Sequence, residues 1–371
     1  MRILAGLGGI ALLLLVLRDA FETVILPRRV QRSFALTSLF YRSTWYLWSG
    51  IATRLTGGVR EVSLSWFGPF SLLLLLVLGA CSIILAFGAL HWAAGSALVM
   101  PGHTPGFLDD LYLSGTTFFT LGLGDVAPRV ALAKVLTVAE SGLGFAFLAI
   151  TIGYLPVIYQ AFSRREIAIS LLDARAGSPP TAGELLRRHP IDTDPEGMTR
   201  LLLDWERWAA ELLESHLSYP VLAYFRSQHG NQSWLAALTT VLDTSALVVV
   251  GCEGPCARQA QLTFAMARHA VVDLAQVFSA PQPEQLGERL TEADLAQLLR
   301  QLGAAGTRFG AVDARARFAE LRLMYEPYVA ALSEHLALPL PGWSRPDGHR
   351  DNWEAAPWKN LSAGPQPPEH F

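Results

Sequence analysis

The stretch from Thr116 to Asp125 reads TTFFTLGLGD, and the remaining sequence makes most sense around it. Gly122 and Gly124 stand two residues apart and are followed directly by Asp125. Glycine adopts positive φ at little cost, so a backbone that alternates its conformation here can turn successive carbonyl oxygens toward one axis. Thr120 can add a hydroxyl oxygen at the inner end, and Asp125 adds a negative charge at the outer end. The pattern predicts a stack of oxygen ligands for a cation.

The residues around this stretch decide whether it is a cation-binding loop or an ordinary turn. A T-x-G-x-G-D string alone is a weak signal, because it could be a turn in any loop. Residues 106–115 read GFLDDLYLSG, a short amphipathic stretch with acids at its start. They predict a pore helix capped near Asp109, whose negative C-terminal end favours a cation. Pro128 follows three residues after Asp125 and stiffens the exit. Apolar stretches long enough to cross a membrane flank the loop on both sides.

In this context the run resembles the pore loop of the two-transmembrane potassium channel superfamily, in its bacterial form with a C-terminal cytosolic domain. The resemblance implies that carbonyl rings from Thr120, Leu121, Gly122, Leu123 and Gly124 replace the water shell of K⁺, with Asp125 at the filter mouth. The family usually has valine at position 121 and tyrosine at position 123. Because that aromatic ring props the filter from behind, Leu123 predicts a looser filter, closest to pores that carry G-L-G or G-F-G. The resemblance covers residues 64–165.

Two residues outside the run are expected to support the filter. Glu140 is an acid within a membrane segment, and such residues rarely face lipid and are functional by default. By resemblance it lies behind the filter and braces the pore helix, and Thr117 is a second supporting residue. The alternative for Glu140 is a protonated or hydrogen-bonded acid with a structural role only.

The second pore helix carries candidate hinge and gate residues. Gly142 and Gly144 fall where the family often has a hinge glycine, and they permit either bending or close packing against a neighbouring helix. Pro156 breaks the backbone ladder near the inner end. Ile152 or Leu155 is predicted to narrow the lumen there as a hydrophobic gate.

Composition separates a membrane part from a soluble part. The 371 residues are 51% hydrophobic and only 16% charged, and the mean hydropathy is +0.31. The apolar residues are concentrated in the first 160 positions, while the later part reads as an ordinary soluble sequence. A net charge of −3 gives no argument for nucleic acid. The three cysteines, Cys81, Cys252 and Cys256, do not make a disulfide framework.

The N-terminal residues predict a membrane helix that ends at Pro27. A cleaved signal peptide is the competing interpretation, but no clear small-residue cleavage site follows the apolar run. Arg18 can pair with Glu22 at helical spacing. Asp19 and Glu22 could instead form a pH-sensitive site near the membrane interface.

Residues 27–62 are rich in arginine and predict a cytoplasmic segment. Residues 33–55 mix aromatic residues with arginine, which is typical of a helix lying in the membrane interface. A further crossing is the alternative, and it would leave arginines on the outer side. The interfacial interpretation places the N-terminus outside. The arginines are Arg28, Arg29, Arg32, Arg42, Arg54 and Arg60.

Residues 64–93 and 130–160 predict the two crossing helices, with a loop over 93–105 between the first helix and the pore helix. Cys81 is expected to be buried within the first crossing helix. The chain has one crossing–loop–crossing unit and no second filter string. Because a potassium filter needs four loops around one axis, we expect a homotetramer.

After Arg164 and Arg165 the sequence predicts a helical domain. Helices are predicted over 198–217, 234–250, 256–278, 295–302 and 308–338. Capping boxes are predicted at Thr181–Glu184 and Thr291–Asp294. Asp243 argues that the apolar helix 234–250 is buried rather than membrane-spanning.

No ligand-binding motif stands out in this domain. Gly303 to Gly306 is predicted to be a loop, and no strand–Gly-x-Gly-x-x-Gly–helix is present. Cys252 and Cys256 have metal-like spacing without a second ligand pair, so a zinc site and a reduced turn both stay open. No nucleophile–base arrangement indicates an enzyme, and no cofactor is expected besides K⁺ as the permeant ion.

The fold class is therefore an all-α membrane protein with a tetrameric pore-loop potassium channel fold, an extra N-terminal helix and a helical cytosolic C-terminal domain. The predicted parts are 1–62, the pore domain 63–165, the helical domain 166–338 and a tail 339–371. We expect a multi-pass plasma-membrane channel whose C-terminal domain is cytoplasmic and gates the pore. Its partners are K⁺, the lipid membrane and three further copies, and not nucleic acid. A poorly selective cation channel and a non-conducting membrane sensor or scaffold are the alternatives.

Overall fold

A computed structural model describes residues 1–22, 36–100, 104–283, 287–304, 312–345 and 351–354 of the chain. These residues are almost entirely helical. They divide into two compact units, residues 1–160 and residues 161–371. Four helices are long and apolar enough to cross a membrane, and three of them begin in the first unit.

The described residues of the first unit form five helices and one pair of short strands. The helices are α1 (Arg2–Ala20), α2 (Leu36–Ala52), α3 (Gly58–Ala93), α4 (Phe107–Phe118) and α5 (Ala131–Ala176), and α5 continues into the second unit. The strands are β1 (Leu98–Val99) and β2 (Ala127–Pro128), paired antiparallel with Leu98 opposite Pro128. The strand pair is a correction, because the sequence predicted only loop over 93–105.

Small residues let α1 pack closely against α3. A Cβ atom on Gly6 would lie 2.9 Å from Ala93 Cβ, and one on Gly9 would lie 2.8 Å from the Ala86 carbonyl oxygen. Such close approach of two backbones is typical of helix pairs in membranes. The contacts run in opposite directions along the two helices, so α1 is antiparallel to α3 and begins beside its C-terminal end.

Several expectations for the N-terminal region can be compared with these residues. Arg18 pairs with Glu22 at 2.8 Å, as predicted. Asp19 instead accepts a hydrogen bond from the Thr37 hydroxyl, at 2.5 Å, which links α1 to α2. Cys81 is exposed in this chain, so the prediction of a buried cysteine was wrong. Pro27 and the arginines at 28, 29 and 32 lie outside the described residues.

The second unit is a helical domain. After the end of α5 it contains α6 (Ala182–Arg188), α7 (Pro195–Ser218), α8 (Trp234–Gly251), α9 (Gly254–Val277), α10 (Glu292–Ala304), α11 (Val312–Leu323) and α12 (Glu326–Leu336). Helix α8 is the fourth apolar helix, and 89% of its apolar window is buried inside the protein. Asp243 on α8 pairs with Arg289 at 2.6 Å and accepts a hydrogen bond from Tyr325 Oη at 2.5 Å. The prediction of a buried helix is confirmed.

The helix caps were predicted with mixed success. At the start of α10, Thr291 Oγ1 accepts from Asp294 N and Asp294 accepts from Thr291 N, which is the reciprocal capping box. At the start of α6, Thr181 Oγ1 accepts from Glu184 N at 3.3 Å, but the Glu184 carboxylate pairs with Arg187 and Arg188 instead of returning to Thr181. The second half of that capping box was wrong, because two arginines compete for the carboxylate.

Three further boundaries differ from the prediction. The single helix predicted over 308–338 is two helices, and Pro327 lies in the first turn of the second. Gly303 belongs to α10 rather than to a loop, because Leu298 and Leu302 anchor that helix in the core. In the predicted tail, Trp343 is buried and packs against Phe318, with the two ring centroids 5.5 Å apart.

Candidate ion-conducting site

Helix α4 begins with a cap built from its own acidic residues. Gly106 is the N-cap, and its N–H donates to Asp109 Oδ2 at 2.8 Å. Asp110 is buried and accepts a hydrogen bond from Ser96 Oγ at 2.6 Å. Acidic side chains in the first turn of a helix offset its unpaired N–H groups and the positive end of its dipole. These bonds fix the start of α4 against the segment that follows α3.

The backbone after α4 alternates its conformation. Thr120, Gly122 and Gly124 have φ angles of +55°, +56° and +81°, while Leu121 and Leu123 between them do not have positive φ. Thr120 N–H donates to the Thr117 carbonyl at 3.0 Å, and Leu121 N–H donates to the Thr116 carbonyl at 2.8 Å. The last turn of α4 therefore continues into the loop through backbone hydrogen bonds. Thr117 enters this arrangement through its backbone.

The side chains of the loop have few contacts within one chain. Leu121 is 60% exposed and Leu123 is 64% exposed. Cβ atoms built on Gly122 and Gly124 would meet no atom within 4 Å. The backbone of the loop is therefore open around both glycines. Glycine is favoured at these two positions because of the positive φ, and not because a side chain would lack space.

Asp125 at the end of the loop is tied to α4. Tyr112 Oη donates to Asp125 Oδ2 at 2.8 Å, and Val126 N–H donates to Asp125 Oδ1 at 3.1 Å. Beyond it, β2 pairs with β1, and Arg129 N–H donates to the Ala97 carbonyl at 2.8 Å. The two ends of the loop are thus held by α4 on one side and by the strand pair on the other.

Glu140 on α5 contacts α4 in the interior of the first unit. The carboxyl group is hydrogen-bonded to Ser114 Oγ, and the residue is 0% exposed. Ser114 Oγ also lies 2.7 Å from the Ile84 carbonyl oxygen on α3. His91 on α3 is 1% exposed, with Nε2 3.9 Å from Glu140 Oε2. A polar cluster therefore joins α3, α4 and α5, and its Ser114 lies two residues before Thr116 on α4.

The two candidate hinge glycines have different surroundings. A Cβ on Gly144 would overlap the Phe118 carbonyl oxygen and would lie 3.1 Å from Phe118 Cα. A Cβ on Gly142 would meet nothing within 4 Å. The sequence left two roles open for these glycines, helix bending and close packing. The contacts of Gly144 support close packing.

The candidate gate residues lie farther along α5. Ile152 is 64% exposed in the single chain, and Leu155 is half-buried. The gate stays a prediction.

Sequence reasoning missed three residues of this site. Ser114 and His91 become neighbours of Glu140 only when α3, α4 and α5 pack together, and no spacing in the sequence signals that contact. Tyr112 stands 13 positions before Asp125. The one signal available in the sequence was that Tyr112 stands near the polar start of an amphipathic helix, close to acidic residues.

Comparisons with known proteins find one family model and one relative that are similar to this chain. Residues 72–160 match a family model described as Ion channel (Ion_trans_2). A Bacillus subtilis (strain 168) protein named "Uncharacterized membrane protein YdjJ" is 28% identical over 210 residues, which cover 56% of this chain and 59% of that protein. The match therefore spans less than two thirds of the relative. No solved structure matches the chain.

Proposed function

We propose that the protein is a potassium-selective channel, because residues 72–160 match a family model described as Ion channel. Four copies assemble around one axis, and each contributes the backbone of Thr120 to Gly124. K⁺ moves passively down its gradient through the resulting rings of carbonyl oxygens.

One observation carries this proposal. Positive φ alternates at 120, 122 and 124 in an exposed loop directly after a short helix inside the channel domain. An alternating backbone is what turns successive carbonyls toward a common axis. Threonine adopts positive φ only at a cost of order 1–3 kcal/mol, so the surroundings must hold this conformation. Two backbone hydrogen bonds to α4 supply that support at its inner end.

The helical unit is proposed to gate the pore through α5. This helix extends from Ala131 to Ala176 with Pro156 inside it, so it belongs to both units. In the second unit, Arg165 is buried and donates to the Leu222 carbonyl at 2.8 Å and to the Phe225 carbonyl at 2.7 Å. A rearrangement of the helical unit would therefore act directly on the inner end of a pore helix.

The proposed orientation follows from charge. Arginines are frequent in residues 27–62 and again at 164–165, and such segments favour the cytoplasmic side. We therefore infer that the protein is a multi-pass plasma-membrane protein with its helical domain in the cytoplasm. Helix α1 is antiparallel to α3, which is consistent with an external N-terminus.

A poorly selective cation channel is the second candidate. The observation that favours it is the exposed Leu123, which lacks the packing that an aromatic residue would supply behind the filter. A less rigid filter discriminates less well between K⁺ and Na⁺ when selectivity depends on the field of the carbonyl groups.

The test is ion flux through purified full-length protein in liposomes. We expect K⁺ flux that Ba²⁺ blocks, and a reversal potential that shifts with the K⁺ gradient in K⁺/Na⁺ mixtures. A reversal potential near zero in those mixtures would support the poorly selective pore. Absence of flux with correctly assembled protein would reject a channel and favour a sensor or scaffold.

A matched pair of variants ties the flux to the loop. Gly122→Ala introduces a methyl group at φ +56°, whereas Gly50→Ala introduces the same group at an open position of α2. Only the first change opposes the local backbone. We expect Gly122→Ala to abolish flux with assembly intact and Gly50→Ala to retain it. Unchanged flux in Gly122→Ala would rule out this filter.

A further inference from the structure

The hydrogen bonds of Ser114 indicate which of its two neighbouring groups carries a proton. Its hydroxyl oxygen lies 2.7 Å from the Ile84 carbonyl oxygen and is also bonded to the Glu140 carboxyl group. A hydroxyl group has one hydrogen and cannot donate to two acceptors at once. A carbonyl oxygen cannot donate at all. The remaining possible donor is therefore Glu140 itself.

A neutral Glu140 satisfies both the Ser114 hydroxyl group and the Ile84 carbonyl group. Its carboxyl O–H donates to Ser114 Oγ, and the Ser114 O–H then donates to the Ile84 carbonyl. An ionised Glu140 would leave two acceptors competing for one hydrogen. It would also bury a negative charge at 0% exposure, with Oε2 lacking a hydrogen-bond partner among the described residues. Burial of a charge without such partners is strongly unfavourable.

The surrounding charged groups do not compensate an ionised Glu140. On α3, His91 Nε2 is 3.9 Å from Glu140 Oε2, which is too long for a hydrogen bond. On α4, the nearest acid that is also buried is Asp110, whose negative charge would oppose a second one. On α1, Arg2 attracts Asp110. On α5 itself, Lys134 is exposed.

We propose that Glu140 holds a proton at neutral pH, and that the chain Glu140–Ser114–Ile84 is a proton-dependent tie that keeps the pore helix in its conducting position. The proposal rests on the channel function proposed above and adds a regulator to it. The tie joins all three helices that surround the loop, and Ser114 lies two residues before Thr116, whose carbonyl bonds the filter backbone. Loss of the proton at alkaline pH removes the donor and releases α4.

Currents through full-length protein in bilayers test the tie. In the wild type we expect current to fall on the alkaline side of neutrality, by about tenfold for each pH unit once Glu140 titrates as a single group. Glu140→Gln keeps an N–H donor for Ser114 but cannot lose it, so this variant should conduct at neutral pH without that alkaline decline. An equal decline in Glu140→Gln, or a wild-type current that does not change with alkaline pH, would overturn the proposal.

Ser114 supplies a matched pair. Ser114→Thr keeps the hydroxyl group and should keep both the current and its pH dependence. Ser114→Ala removes the middle of the chain and should lower the neutral-pH current toward the level of the alkaline wild type. Equal currents and equal pH profiles in these two variants would contradict the tie.

Infrared spectroscopy gives a readout that needs no current. The wild type at neutral pH should show the carbonyl stretch of a protonated carboxyl group that is absent in Glu140→Gln. Its absence from the wild type would mean that Glu140 is ionised, paired with a protonated His91, and the proposal would be wrong. If this band is present but no pH or ion gradient produces flux, the channel function fails while the protonation state stands.

Discussion

Thr120 has the least favourable backbone of the loop. A β-branched residue with positive φ is rare, because its side chain crowds the neighbouring carbonyl oxygen. Here the conformation is fixed by the hydrogen bonds from Thr120 N–H and Leu121 N–H to the last turn of α4. Gly122 and Gly124 then continue the same alternation at low cost. The inner end of the loop is therefore held by its connection to α4, and the outer end by the identity of its residues.

Gly144 is predicted to be intolerant of any side chain. Gly144→Ala forces a methyl group into the Phe118 carbonyl, whereas Gly142→Ala places one in open space. Overpacking of this kind costs about 1–3 kcal/mol, and a helical glycine to alanine change without a clash is stabilising by up to about 1 kcal/mol. We expect a lower melting temperature and less assembled protein for Gly144→Ala only. The measurement is thermal unfolding followed by size-exclusion chromatography, and equal stability of the two variants would show that the close approach is not there.

His216 gives the helical unit a pH-dependent stability. Burial, together with the nearby Arg165 guanidinium, lowers the pKa of His216 to about 3, and its Nδ1–H donates to the Leu212 carbonyl at 2.8 Å. In the unfolded chain the pKa is about 6.5, so the unfolded state binds more protons between these two values. Stability is therefore full above about pH 6.5 and falls as the pH decreases, by at most about 1.4 kcal/mol per pH unit.

The check is thermal unfolding of the full chain between pH 7 and pH 4, compared with His216→Gln. The variant keeps a donor and an acceptor but does not titrate, so its unfolding temperature should depend less on pH. The same slope in both proteins would contradict a buried neutral histidine.

At the scale of single residues, the sequence predicted residues whose type is required by the local backbone. It did not reveal residues whose role depends on contacts between packed helices. Gly122 and Gly124 could be singled out because the positive φ of both residues favours glycine, whereas the ion-binding role of the loop and of Asp125 stays a prediction. Glu140 could be found because an acid in an apolar helix is conspicuous. Ser114 and His91 could not, since a serine and a histidine in helices have no distinctive pattern until three helices pack together.

At the scale of elements, α5 is the part that connects the chemistry of the loop to the helical unit. It carries Glu140 and Gly144 beside α4 and, farther along, Arg165 within the second unit. Helix α5 stays helical along this length, so a displacement of one end can reach the other, although Pro156 removes one backbone N–H donor between Gly144 and Arg165. An insertion that interrupts α5 should therefore weaken the coupling between the helical unit and the pore without changing the loop itself.

We predict that a Gly-Gly-Gly insertion after Gln160 changes the open probability without changing ion selectivity. Three glycines cost about 3 kcal/mol in a helix interior and add flexibility between the units. The control is the same insertion after His229, in an exposed turn of the second unit. Single-channel recording is the measurement, and an open probability that matches the control would contradict coupling through α5.

Helix positions followed from apolar periodicity, whereas several boundaries did not. Helices α7, α8 and α9 were predicted to within three residues at each end, because α7 and α9 have a periodic buried face and α8 is an almost continuous buried apolar run. The break between α11 and α12 was missed although Pro327 signals it, since proline is tolerated in the first turn of a helix but not in its interior. The strands β1 and β2 have two residues each and exist through their pairing with each other, so neither segment alone could reveal them.

At the scale of the whole molecule, one chain supplies one loop and one polar support behind it. The backbone of Gly122 and Gly124 is open on the side where other copies would contribute theirs. An ion stripped of water needs oxygen ligands on all sides, and a single loop provides only a fraction of them. The proposed ion conduction therefore requires an assembly of several chains, and a single chain is not expected to conduct ions.

The most direct measurement is an electron cryomicroscopy structure of the full-length protein in a lipid nanodisc with K⁺ in the buffer. We predict a fourfold axis with ion density between the carbonyl oxygens of residues 120–124. An assembly of another symmetry, or a fourfold assembly with those residues turned away from its axis, would contradict the account.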